Sequence, residues 1–540
     1  MDTPSNDWRR LVASLLVVRA SGHLADGQRG YPIWELDNAA LQALLEEGVG
    51  GVILLGGGAA ELRLRTRQLA SWADQPLLLC ADVEEGVGQR FAGASWLPPP
   101  LALGRLHGRD PAAARSLAEH YGRCTGREAR ALGLNWVLGP VCDVNNNPAN
   151  PVINVRAWGE EPAVVEALVA AFITGVQDEG VLACAKHFPG HGDTSADSHL
   201  DLPVLPHQRA RLEAIELPPF RRAIASGVAS VMTAHLLLPE LDPVHPATLS
   251  PAVLTQLLRR DLGFAGLVVT DALVMEAIAA RHSPGEAAVL ALEAGADLVL
   301  MPADPWQAIE AILAALESGR LSVERLRRSA ERRQQALALT RGDPDPRGAD
   351  PRRPLGPLTN GPVEADRAFA HTLLDRTMES RGGAVAPLRG QGLALLRIDA
   401  LLACPFLSPA APALTLPAAA GFSTRVLDRQ SPPPWTSDGA DAGPLLLQVF
   451  VRGNPFRGSA GEDEPWADWI STLVRQQRLA GLVVYGSPYL WDHLRARLPA
   501  EVPAVWSPGQ LPAAQALALA RIGLAPETAG DTLAEEGFTD

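Results

Sequence analysis

Short apolar runs recur along the first part of the chain, separated by longer segments in which apolar residues return every three or four positions. The runs are LVASLLVV (11–18), GVGGVILL (48–55), PLLLCAD (76–82), LNWVLGPVCDV (134–144), VLACAKH (181–187), ASVMTAH (229–235), GLVVTD (266–271) and ADLVLM (296–301). They have strand length, and their apolarity is continuous, as expected of parallel strands buried on both faces. Segments such as 112–132 and 162–180 have the helical period. Eight strands alternating with helices predict a (β/α)8 TIM-like barrel.

The helical pattern of 322–340 is followed by a stretch rich in Pro, Gly and charge, which predicts a linker over 341–363. Beyond it, LALLRI (393–398), LLLQVFV (445–451), LAGLVVYG (479–486) and AVWS (504–507) alternate with helical patterns around 365–379, 466–478 and 511–521. These predict a smaller α/β sandwich domain over 364–540, with the Pro- and Ala-rich stretch 402–443 as loop. The barrel domain is expected to span 1–340.

Composition narrows the function classes. Apolar residues make up 47% of the 540 positions, enough for a large core and against global disorder. The net charge is −14 with no basic stripe, so no nucleic-acid partner is expected. The cysteines Cys80, Cys124, Cys142, Cys184 and Cys404 are odd in number and scattered, as in a reducing compartment. No apolar run reaches the ~18 residues of a membrane span, and the first residues lack a signal pattern. The expectation is a cytoplasmic protein without membrane contact; its oligomeric state is not legible.

Of 47 basic residues, only Lys186 is a lysine. Ammonium and guanidinium are not equivalent at a tight hydrogen-bonding site, so the position kept as lysine is a candidate functional one. It lies in the densest polar segment, AKHFPGHGDTSADSHLDLPVLP (185–206). Asp82, Asp143, Lys186 with His187, His235 and Asp271 all end apolar runs, on the rim where a barrel of this kind carries its active site.

Pro189, Gly190 and Gly192 make the segment after Lys186 a loop. His187 and His191 have helical ligand spacing, but the loop removes the helix that would aim both rings at one ion, and no metal or other cofactor is expected. Residues two apart in an extended loop project to one side, so Asp197 could accept from the ring of His199. That would fix its tautomer and leave the other nitrogen to donate a proton. Asp271, directly before ALVMEAI, is a candidate nucleophile on an anomeric carbon or, alternatively, a helix cap. Asp82 and Arg90 in ADVEEGVGQRF, and Arg156 in NPVINVRAWG, could hold sugar hydroxyls or serve as ordinary ion pairs.

KHFPGHGD followed by DSH, with DVEEGVGQR, NPVINVRAWG and GLVVTDAL in order, closely resembles glycoside hydrolase family 3, in its β-N-acetylglucosaminidase branch. The resemblance covers roughly 10–340 and implies a retaining exo-hydrolase of terminal β-linked N-acetylglucosamine, needing no cofactor. It implies Asp271 as nucleophile, His199 assisted by Asp197 as acid/base, and Asp82, Arg90, Arg156, Lys186 and His187 as sugar contacts. Two departures stand out: Glu84-Glu85-Gly86 replaces the usual Glu-Gly-Gly, and Ala272 follows the nucleophile where a second acidic residue is common. In the β-glucosidase branch the second domain supplies the acid, which would here involve Glu462, Asp463 or Glu464. A phosphorylase, a metallohydrolase and a non-catalytic sugar-binding protein are the remaining alternatives.

Overall fold

The computed structural model describes residues 4–195, 197–198, 200–340, 360–385, 392–398, 404, 406–431, 443–452 and 464–524. They fall into two compact units, Met1–Ala370 and His371–Asp540. The segment read as a linker lies almost wholly outside the described residues, and the boundary between the units falls inside the helix Asn360–Thr377.

In the first unit the strands are β1 (Leu16–Ala20), β2 (Gly51–Leu54), β3 (Leu78–Ala81), β4 (Trp136–Val137), β5 (Cys184–Phe188), β6 (Ser230–Thr233), β7 (Leu267–Val269) and β8 (Val299–Leu300). All pair in parallel. One ladder runs β8-β1-β2-β3-β4 and a second runs β5-β6-β7. Parallel bridges Trp136↔Leu182 and Val141↔Lys186 join β4 to the β5 segment, and Val269↔Leu298 joins β7 to the β8 segment. The sheet thus closes into a barrel. Trp136 and Ser230 are buried and bonded at 2.8 Å, Nε1 to Oγ, by side chains 94 positions apart. All eight predicted runs contain a strand. The first was drawn too early, because residues 11–13 end a helix, Pro4–Ala13.

The second unit has one six-stranded sheet. Its strands are β9 (Glu379–Arg381), β10 (Gly392–Ile398), β11 (Phe422–Leu427), β12 (Leu445–Val451), β13 (Leu479–Gly486) and β14 (Ala504–Ser507), in the order β9-β14-β13-β12-β10-β11. Only β9 is antiparallel to its neighbour. Alternate residues such as Ala394, Leu396, Leu446, Val483 and Val505 pack under the helix Pro512–Arg521, as the two-residue period of a strand requires. The stretch read as loop, 402–443, holds the helix Pro412–Ala419 and β11. Its Pro- and Ala-rich composition masked both. β11 is an edge strand with an exposed middle, so it lacks the continuous apolarity that marked its neighbours.

Candidate active site

The βα connections of the barrel bring five acidic and basic side chains to its C-terminal rim as one network. Lys186, in β5, is buried to 1% exposure, which a lone ammonium could not tolerate. Its Nζ donates to Asp82 Oδ1 at 2.7 Å and lies 2.6 Å from Glu84 Oε1. Glu84 is gripped from its other side by Arg156, whose Nε and Nη2 each bond one carboxylate oxygen at 2.8 Å, and Arg156 Nη1 donates to the Val152 carbonyl at 3.0 Å. Such a two-pronged pair suits the planar guanidinium. Arg90 joins through its Nε, which donates to the backbone carbonyl of Asp82 at 3.2 Å.

Burial alone would raise the pKa of Glu84, but Arg156 and Lys186 overcome it and hold the carboxyl well below its ordinary range. Burial likewise works to lower the pKa of Lys186, and Asp82 with Glu84 reverse this, so the amine stays charged. Arg156 is stabilised as a cation by Glu84 in the same way. Two carboxylates therefore face two cations, Lys186 fully buried and Arg156 with 13% of its side chain exposed. Glu84 is sealed, with 5% of its side chain exposed, whereas Asp82 keeps 31% and is the carboxylate of the pair that can meet a ligand.

A second cluster is organised by Asp143, which is fully buried. Its Oδ2 lies 2.7 Å from His187 Nδ1, and its Oδ1 accepts the backbone N–H groups of His187 at 3.2 Å and His191 at 2.7 Å. A carboxylate at Nδ1 fixes the tautomer and leaves the Nε2 edge of His187 for a ligand. The register between β5 and β6 shifts between Ala185 and Phe188, and the Lys186–His187 peptide is cis. Gly192 passes so close to the Val144 carbonyl that an added Cβ would meet the oxygen at 1.7 Å, which only glycine permits.

Asp271 stands at the end of β7, partly exposed. Its N–H donates to Thr233 Oγ1 at 3.3 Å, and its Oδ1 accepts from the Ala272 N–H at 2.7 Å. His235 steadies the same turn: its Nε2 lies 3.0 Å from the Ala272 carbonyl. The cap alternative fails, because the next helix, Glu276–Ala279, has Met275 at its N-cap. Burial lowers the pKa of the nearby His191 to about 4, against the opposing pull of carboxylates led by Asp143.

Asp197 is buried, and its carbonyl accepts the N–H groups of Leu200 at 2.9 Å and Asp201 at 3.0 Å. His199 lies outside the described residues. Glu462 and Asp463 do as well; Glu464 is paired with Arg397.

The sequence reading assigned no role to Glu84 or Asp143. Asp143 had been visible as a strand-end acid, and Glu84 as part of the altered Glu84-Glu85-Gly86 turn. Glu85, the unusual residue there, turns away: it is buried and accepts from Trp96 Nε1 at 2.9 Å. Among the described residues, two groups come within metal-binding reach, His120/Cys124/Asp366 and Asp193/His207/Glu216. Neither includes a residue of the clusters just described. In each, an arginine already sits as the cation. Arg127 is bonded to Asp366, and Arg211 Nη2 lies 3.2 Å from Asp193 and 3.1 Å from Glu216.

Comparison with known proteins agrees with this architecture. The glycosyl hydrolase family 3 N-terminal domain model matches residues 12–336, and the bacterial glycosyl hydrolase family 3 C-terminal domain model matches 389–523. A "Beta-hexosaminidase" of Alkalilimnicola ehrlichii is 37% identical over 320 residues, 56% of this chain and 91% of the relative. A family 3 β-N-acetylglucosaminidase from Paenibacillus sp. superposes with a TM-score of 0.75 at 30% identity, over 96% of this chain and 97% of that one. NagZ from Neisseria gonorrhoeae superposes with a TM-score of 0.52 at 30% identity, over 66% of this chain and 97% of its own. A barrel with a charged rim, followed by a sheet domain and matched by both domain models in order, makes this chain a member of glycosyl hydrolase family 3 and a glycoside hydrolase.

Proposed function

We propose that this enzyme removes terminal β-linked N-acetylglucosamine from oligosaccharides by a retaining, exo-acting mechanism. Asp271 attacks the anomeric carbon and the glycosidic C–O bond breaks, giving a glycosyl-enzyme. His199, assisted by Asp197, protonates the departing oxygen, then takes a proton from the water that hydrolyses the ester. Asp82, Lys186, His187, Arg90 and Arg156 hold the sugar in place. Cytoplasmic turnover of muropeptides or chitooligosaccharides is the proposed setting. No helix among the described residues is long and apolar enough to cross a membrane.

The observation that supports this reading best is the pairing of a sealed charge network with one accessible carboxylate on the same rim as Asp271. A fixed constellation of this kind suits a ring of hydroxyls, and its orientation is settled before the substrate arrives. The N-acetylglucosamine preference follows from the names of the relatives.

The test is release of nitrophenol from p-nitrophenyl N-acetyl-β-glucosaminide, alongside the β-glucoside and β-xyloside, with and without phosphate. The enzyme should prefer the N-acetyl sugar and not need phosphate. A 5-fluoro N-acetylglucosaminyl fluoride should leave its sugar mass on the peptide containing Asp271. An adduct elsewhere, preference for the glucoside, or binding without release would overturn the proposal. His199→Ala should lose activity on poor leaving groups and Glu462→Ala should not; the reverse would move the acid to the second domain.

A further inference from the structure

His235 ends one of the barrel's apolar runs and is fully buried, out of reach of a sugar. Thr233 and His235 lie two positions apart at the end of β6, and both side chains meet the turn that follows β7. Thr233 Oγ1 accepts the Asp271 N–H at 3.3 Å, and His235 Nε2 lies 3.0 Å from the Ala272 carbonyl. That carbonyl can only accept, so Nε2 carries a proton and donates it. Thr248, in the 3-10 turn Ala247–Leu249, joins the two side chains. Its Oγ1 lies 2.7 Å from Thr233 Oγ1, 2.8 Å from His235 Nδ1 and 2.9 Å from the Ala234 carbonyl. Thr233 and Thr248 are fully buried as well.

The flanks of the same turn are secured separately. The Thr270 and Leu273 N–H groups donate to the Leu298 and Leu300 carbonyls at 3.1 and 3.0 Å, the Leu300 N–H donates to Thr270 Oγ1 at 2.9 Å, and the Met275 N–H shares the Ala272 carbonyl at 3.0 Å. These bonds hold the residues on either side of Asp271. The carboxylate itself is reached through Ala272, which is gripped at both ends. Its carbonyl takes the His235 proton, and its N–H donates to Asp271 Oδ1 at 2.7 Å. A buried imidazole thus fixes the peptide group that orients the carboxylate.

We infer that His235, Thr248 and Thr233 form a buried hydrogen-bonded brace that aims the Asp271 carboxylate, so that all three are positioning residues for its attack on the sugar. This inference rests on the proposed role of Asp271 and names the residues that act through it. A buried polar chain suits the task because each member is costly to leave unpaired, which favours a single arrangement. Misplacing a reacting group by about 1 Å costs on the order of a hundredfold in rate.

The test compares full-length Thr248→Val and Thr248→Ser with the parent enzyme. Valine matches threonine in shape and removes the hydroxyl, whereas serine keeps it. We would measure kcat/KM on methyl and 2,4-dinitrophenyl N-acetyl-β-glucosaminides, with thermal unfolding to confirm that each variant is folded at the assay temperature. Attack by Asp271 is common to both substrates, whereas only the methyl glycoside needs a proton on its leaving group. Thr248→Val should lose about ten- to a hundredfold on both alike. The inhibition constant of N-acetylglucosamine should stay within about twofold of the parent value, and Thr248→Ser should recover most of the lost rate. Thr233→Val, which cuts the brace next to Asp271, should repeat the result and serves in place of Thr248→Val if that variant is unfolded. A loss confined to the methyl glycoside, a fall in product affinity as large as the fall in rate, an equal loss in Thr248→Ser, or no loss would overturn the brace. A crystal structure of the valine variant reports on the brace without activity: Asp271 should leave the Ala272 N–H, and an unmoved carboxylate would overturn it. If the 5-fluoro sugar labels a residue other than Asp271, the proposed function fails and that crystal structure still decides the brace.

Discussion

Lys186 reaches Glu84 at 2.6 Å, with the Lys186 side chain 2% exposed and that of Glu84 5%. The one lysine of the chain is thus held by a carboxylate that no ligand can contact directly. Glu84 in turn fixes Arg156, so one sealed side chain orders two cations on the rim.

Glu84→Gln should therefore destabilise the barrel, because it strips one negative charge from between the buried Lys186 and the largely covered Arg156. Breaking a buried pair of this kind costs about 3–5 kcal/mol. The folded pKa of Glu84 is depressed, so its contribution is fully present above the unfolded value near 4.5 and is lost as pH falls through the folded pKa. Thermal unfolding of parent and variant should differ by a constant gap above about pH 4.5, narrowing at more acid pH.

Lys186→Arg keeps the charge and changes the shape. A planar fork must enter a site where the ammonium already lies 2.7 Å from Asp82 and 2.6 Å from Glu84. We expect kcat/KM on an aryl N-acetyl-β-glucosaminide to fall about 100-fold, roughly 3 kcal/mol, with the far-UV spectrum unchanged. Near-parental activity would mean that the retained lysine is an accident of composition.

His191 should make stability depend on pH in a defined window. Its pKa falls from 6.5 to about 4 on burial, so between those values the unfolded chain binds the proton and the folded one does not. Stability is then lost as pH drops from about 6.5 toward 4, by about 3 kcal/mol in all. Urea unfolding of the parent at pH 7.5 and 5 should show this fall, and His191→Gln should flatten it.

Incubation with EDTA should leave hydrolysis within experimental scatter of the untreated rate. The two candidate ligand groups each hold an arginine against their carboxylates, and a divalent ion would have to displace it. Loss of activity restored by zinc would show that one of those arginines yields.

The order of strands and helices in the barrel was legible because its signal is local. Each run of buried residues announces its own strand, and the motif spacing puts ionisable groups at the strand ends. The same logic found four of the six strands of the second unit; it missed β9, which is three residues long and not buried, and β11, whose exposed middle carries no such signal.

The amino-acid order by itself determined the barrel, the candidate residues and the rim on which they lie, since these follow from periodicities and motifs a few residues long. Only the tertiary structure decided which charges meet. Glu84 and Arg156 are 72 positions apart, Asp82 and Lys186 104, and Asp143 and His187 44. Coulomb energy depends on distance through space and on burial, and neither is set until the strands close and bring their ends together.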